Sequence, residues 1–152
     1  MFFILYKEIF KMKKTVLLLF ALFLLLSCSN STTKYNNPFI PNYAFSTTLN
    51  LNLPTYSGLN SNINPQIIPD NGIGVTLIVM KISETDYRAW DANCPNQFPS
   101  SCSQMRLNGV NAKCNCDDFE YSLFTGVGND GDYTMKPYRV QVIEPKLIRI
   151  YN

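Results

Sequence analysis

The sequence is that of an antiparallel all-β sandwich, and three features carry that expectation. Leu49, Leu51 and Leu53 alternate with Asn50 and Asn52, a period of two where a helix needs 3.6. Nine prolines and seven glycines punctuate 152 residues and cut them into short strands. No window offers a capped amphipathic helix. The length suits one domain.

Before the strands comes a segment expected to be removed. Met12-Lys13-Lys14-Thr15 followed by the apolar run from Val16 to Leu26 is the basic start and hydrophobic stretch of a secretory signal. The run is too short to span a bilayer. Residues 1–27 are therefore assigned to a signal peptide, with Met12 as its true start. Leu25-Leu26-Ser27-Cys28 resembles a bacterial lipobox, which makes Cys28 the acylated first residue of the mature chain. Ser29 and Asn30 carry no aspartate retention signal, so the expected location is the cell envelope, the outer membrane favoured over the inner. Residues 28–38 are polar and unpatterned, a flexible tether to a β domain over 39–152.

The whole chain carries 13 basic and 11 acidic side chains, a formal charge of +2. Residues 1–27 hold four of those lysines and one glutamate, so the mature chain has 9 basic and 10 acidic residues and a charge of −1. Its cations are scattered, whereas nucleic-acid binding needs them clustered, so nucleic acid is not an expected partner. The expected attachments are the membrane, through the lipid, and a protein or glycan partner of unknown identity. The chain has no histidine. That removes Ser-His and Cys-His nucleophiles and the commonest metal ligand. Nothing pairs a nucleophile with a base, so no catalytic residue is assigned and no enzymatic activity is expected.

Within the domain, residues 75–82 are apolar at nearly every position, as in a strand covered on both faces, and Asp70-Asn71-Gly72 supplies the turn before them. Tyr87-Arg88-Ala89-Trp90 continues the sheet. Tyr138, Val140 and Val142 alternate with Arg139 and Gln141, Glu144-Pro145-Lys146 turns the chain, and Leu147, Ile148 and Ile150 close it as a hairpin. Asn108-Gly109 is the strongest two-residue hairpin signal and predicts Leu107 opposite Val110, Met105 opposite Ala112 and Ser103 opposite Cys114. That register brings Cys102 within a residue of Cys114 and Cys116 but on the other face, so a bond to either needs a bulge or loop.

Four cysteines follow Cys28: Cys94, Cys102, Cys114 and Cys116. In an exported chain two disulfides are the first expectation, with three connectivities open. Zinc is a poor match, since the cysteines form no pair of Cys-x-x-Cys knuckles.

Residues 89–96, Ala-Trp-Asp-Ala-Asn-Cys-Pro-Asn, and residues 114–121, Cys-Asn-Cys-Asp-Asp-Phe-Glu-Tyr, with Gly126 beyond, resemble the two motifs of a Rieske iron–sulfur domain. The resemblance extends over about residues 40–152 and is nearest to Rieske-like lipoproteins of Bacteroidetes-type bacteria. It implies a Rieske-type β-sandwich in which Cys94 and Cys114 match the two cysteine ligands of one iron. The histidine ligands of the other iron fall at Asn96 and Asp117, so both are missing and the pattern is degenerate. The Gly-Ser that follows the second motif is here Asp118-Phe119. The resemblance further implies a disulfide between Cys102 and Cys116, and closeness of Cys94 and Cys114, which an empty site can join as a second disulfide. The implied state is thus without cofactor. The alternative is a [2Fe–2S] electron-transfer centre with non-standard ligands, and any metal would use Cys94, Cys114 and Asp117.

Residues 126–131 spell G-x-G-x-x-G, but no helix follows and a flexible turn is expected. Asp117, Asp118 and Glu120, and Asp130 with Asp132, lack calcium-loop spacing and are read as solvated loop acids. The tyrosines and Trp90 are assigned to core packing.

Overall fold

A computed structural model of the chain describes residues 37–152; the signal peptide, Met12, Cys28 and most of the tether lie outside the described residues. The domain is antiparallel and nearly all β, as expected. In chain order the strands are β1 Ser46–Asn50, β2 Gln66–Ile68, β3 Leu77–Lys81, β4 Tyr87–Asp91, β5 Arg106–Asn108, β6 Asn111–Lys113, β7 Glu120–Ser122, β8 Pro137–Glu144 and β9 Leu147–Tyr151. Six pair in the order β1-β9-β8-β4-β3-β2, and β5-β6-β7 form a separate small sheet.

The larger sheet curls on itself because apolar residues alternate along its strands. Leu77, Val79 and Ala89 of β3 and β4 meet Leu49, Ile148 and Ile150 of β1 and β9 in one core. Ile78, Met80 and Trp90 on the opposite face of the same strands meet Ala112 and Tyr121 of the small sheet, and Leu123 just beyond it, in a second. All five residues of β3 are buried, which is why it is apolar from Leu77 to Met80, with only the terminal Lys81 charged. The Trp90 indole N–H ties the layers by donating to the Leu123 carbonyl at 3.0 Å.

Three local expectations are corrected. The Leu49–Leu53 alternation does not run on as one strand: β1 ends at Asn50, and Pro54–Asn60 is a 3₁₀ helix with its proline in the first turn, where a missing N–H costs nothing. Only Leu59 of that helix is buried, so it lacks the repeating apolar face by which a longer helix is recognised. The central hairpin pairs Leu107 with Ala112 and Asn108 with Asn111, two residues out of the expected register. Only Gly109 of Asn108-Gly109 has positive φ, at 60°, so glycine takes the first central position of the turn, as in type II′.

The closing hairpin forms where expected, with a bulge between Val142 and Glu144. Pro145 and Lys146 make its turn, and Lys146 has φ 65°, a left-handed conformation unfavourable for a residue with a Cβ. The Lys146 carbonyl accepts from the Leu51 N–H at 2.8 Å, so the turn also braces the start of the 3₁₀ segment. Because only the backbone of Lys146 is used there, Lys146→Gly is expected to raise stability by about 0.5–1 kcal/mol, read as a higher urea midpoint at constant slope.

Candidate functional site

The four cysteines gather where two loops leave the small sheet. Residues 92–105 lead from β4 to β5. Their far limb folds back on the near one: Asn93 bridges Gln104, the Cys94 N–H donates to Ser103 O at 2.7 Å, and the Met105 N–H donates to Ala92 O at 2.8 Å. This pairing takes Ser103 away from Cys114, its expected partner. The second loop, 114–119, closes on a bond from the Cys114 N–H to Phe119 O of 2.8 Å. Asp117 Oδ1 accepts from the Phe119 N–H at 3.0 Å, and Asp118 between them has φ 64°. Asp118 stands where the Rieske motif has glycine, and aspartate is among the few residues that tolerate that conformation.

Two disulfides join the loops: Cys94 to Cys114 with Cα atoms 5.6 Å apart, and Cys102 to Cys116 at 5.3 Å. Cys102 reaches Cys116 because it lies in a loop outside β5, which removes the alternation that would turn it to the other face. The bonds differ in setting. Cys94 and Cys114 are fully buried, among Met105, Ala112 and Met135. Cys102 and Cys116 are exposed.

A third loop, between β7 and β8, closes over the first, and Asn96 holds the two together. Its Oδ1 accepts from the N–H groups of Asp132 and Tyr133 at 2.8 and 3.0 Å. Its Nδ2 donates to Tyr121 Oη at 2.6 Å. The Gly126, Gly128 and Gly131 series packs tightly where a flexible turn was expected. A Cβ at Gly126 would lie 2.6 Å from the Trp90 ring, one at Gly128 2.6 Å from the Tyr121 ring, and one at Gly131 2.3 Å from the Asn96 amide. Close approach explains the glycines without any nucleotide.

Asn37, at the end of the expected tether, is buried and donates from Nδ2 to Pro95 O at 2.7 Å. Phe39 follows it and meets Phe98 and Tyr133 edge to face, with centroids 5.1 and 5.6 Å away. Phe98 itself is 68% exposed. Nothing in a polar tract or an isolated loop aromatic marks these residues beforehand, nor does any local pattern mark Tyr121 as the partner of Asn96.

Asp118 and Glu120 are engaged in surface contacts. Asp118 pairs with Lys113 at 2.9 Å, and that hydrogen bond, with the lysine charge, holds its carboxyl below the ordinary value. Glu120 accepts from the Asn108 and Asn111 amides at 2.9 and 2.8 Å. It lines a shallow depression of about 340 Å³ with Asn111, Ser122 and Asn129. Glu120 and Ser122 alternate with Tyr121, so this depression lies on the strand face turned away from Asn96.

The residues at the cluster-equivalent positions do not fit a conventional [2Fe–2S] centre. Asn96 offers an amide, already bonded on both its oxygen and its nitrogen, where imidazole is required. Asp117 turns one carboxylate oxygen back onto its own loop. Among the described residues no group of three or more His, Cys, Asp and Glu side chains is placed to hold a metal ion.

No protein-family profile matches the chain, and no curated protein matches it significantly. Among solved structures it is similar to the complex of reduced oxygenase and oxidized ferredoxin in carbazole 1,9a-dioxygenase, at TM-score 0.45 and 12% identity over 73% of this chain and 94% of that one. It is also similar to the ferredoxin of carbazole 1,9a-dioxygenase from Nocardioides aromaticivorans IC177, at TM-score 0.42 and 13% identity over 61% and 90%. A third is a putative NADH-dependent nitrite reductase small subunit from Mycobacterium tuberculosis, at 0.44 and 13% over 73% and 97%. The fold is the antiparallel, nearly all-β architecture expected from the sequence: a curled larger sheet, and a small sheet whose loops bring Cys94 and Cys114 together.

Two measurements probe the amide clasp. Asn96→Ala leaves two backbone N–H groups and a buried phenol without their partner and is expected to cost about 2–4 kcal/mol in urea unfolding. Burial pushes the Tyr121 phenol above its ordinary 10.0, against the opposing hydrogen bond from Asn96. A raised folded value means the contribution is present in full below pH 10.0 and lost as pH climbs through that folded value. Tyr121→Phe is therefore expected to lose less stability than the parent between about pH 8 and about pH 11, with the similarly raised Tyr87 left to account for part of the remaining loss.

Proposed function

We propose that this chain is an exported, lipid-anchored protein of Rieske-like fold that carries no conventional cluster and serves as a non-enzymatic binding or structural module of the cell envelope. The observation that carries the reading is Asn96. At a position that the family gives to a ligand histidine, it spends its amide on Asp132, Tyr133 and Tyr121 and so performs a structural task. The bond between Cys94 and Cys114 supports the same reading, because it uses both sulfurs that the family gives to iron. The lipid on Cys28 attaches the protein to a membrane, the outer one favoured, and a protein or glycan partner is its ligand.

The competing reading is electron transfer through a [2Fe–2S] centre with non-standard ligands. In its favour is the closeness of Cys94 and Cys114, which on reduction present two thiols at one point. Protein purified without oxygen separates the two. The expected result is absence of iron and sulfide, with an intact mass four hydrogens below that of the fully reduced chain. Stoichiometric iron and sulfide, with visible absorbance lost in Cys114→Ala, would overturn the cluster-free reading.

The anchor has its own check. Mass spectrometry of the mature N-terminus is expected to find an acylated Cys28 and no residue of 1–27. An unmodified Cys28 refutes the lipid attachment.

A further inference from the structure

The two disulfides stand close together in sequence and in space but in opposite surroundings. Cys94–Cys114 has no exposed surface and is enclosed by core side chains. Cys102–Cys116 is exposed at both ends. Thiol–disulfide exchange requires an attacking thiolate to reach a sulfur, so access separates the two bonds.

The surroundings of the exposed bond also suit its opening. Gln97 Nε2 donates to Cys116 Sγ at 2.7 Å, and Ser100 Oγ stands 3.5 Å from Cys102 Sγ and 4.0 Å from Cys116 Sγ. Cys116 thus has the stronger donor set for a departing thiolate. Asp117 beside it opposes that charge, with one oxygen engaged by the Phe119 N–H. The first loop does not depend on the bond for its shape. Ser103 Oγ accepts from the Ser100 N–H at 2.7 Å and donates to Ser100 O at 2.9 Å, and the Cys94 N–H bond to Ser103 O secures the limb below.

We propose that Cys102–Cys116 is a thiol–disulfide exchange site for a dithiol, and that Cys94–Cys114 is closed to the same reagent. One thiolate of the dithiol bonds to Cys102 Sγ as the bond to Cys116 breaks, and Cys116 leaves with the electron pair. The second thiolate attacks its own partner sulfur in the mixed disulfide and releases Cys102. Both cysteines take up a proton; the dithiol is oxidised by two electrons and the protein reduced by two. The site is independent of the cluster question, because neither Cys102 nor Cys116 stands at a ligand position.

Oxidised full-length protein treated with dithiothreitol without denaturant, quenched by alkylation and mapped by peptide mass, tests this. Cys102 and Cys116 are expected to label at least about tenfold faster than Cys94 and Cys114, with the far-UV circular dichroism unchanged. A monothiol probe is expected to be caught on Cys102, and Gln97→Ala to slow the reaction several-fold. Labelling of all four cysteines together, labelling of none before denaturant, capture of the monothiol on Cys116, or a rate indifferent to Gln97→Ala would each overturn the assignment.

Discussion

Everything else in the domain is arranged around the burial of both faces of β3 and β4. Each strand turns alternate residues to opposite sides, so Leu77 and Val79 build one core while Ile78 and Met80 build the other. The charged residues of these two strands are few and each is partnered: Arg88 pairs with Asp86, Asp91 accepts from Tyr138 Oη at 2.7 Å, and Lys81 Nζ pairs at the rim with Glu84 at 2.6 Å. Chemistry is displaced to the loops that leave the small sheet, which are held at their bases by the second core and at their tips by polar contacts.

At those tips two disulfides join the first loop to the second, and a hydrogen-bonded amide joins the first to the third. The amide suits the position, since it has an acceptor and a donor pointing in different directions, and each finds a partner on a different segment. A carboxylate there would lack the donor that Tyr121 receives. Lys136 shows the same economy at the other border of the third loop. It is buried, its Nζ donates to the Pro41 carbonyl, and burial holds its ammonium below the ordinary value, with Asp91 acting in the opposite direction. A long cationic side chain is used there to fasten the segment that precedes β1.

The larger sheet was legible because its signals are local. The apolar run of β3 from Leu77 to Met80 announces two covered faces, and the closing hairpin is bounded by its own proline. The small sheet was less legible. Asn108-Gly109 correctly marks a reversal, but its register is decided by the pull of residues 92–94 on residues 103–105, which no turn propensity contains. The same pull takes Ser103 from Cys114 and releases Cys102 from strand alternation. Motif spacing singled out the cysteines and Asn96, yet the occupation of Asn96 depends on Tyr121 and Tyr133, 25 and 37 residues away. The glycines of 126–131, expected as a flexible turn, are instead packed: their spacing arises from three side chains that each need a bare backbone against them.

The chain has one tryptophan, and its position gives the molecule a built-in optical gauge. Trp90 is 6% exposed, its indole bonded across to Leu123 and its ring covered by Gly126. It therefore sits on the seam between the two sheets. Its emission follows separation of the small sheet from the larger one, while the backbone dichroism follows the strands themselves. Where the two signals part company, the loops have lifted while the curled sheet stays whole.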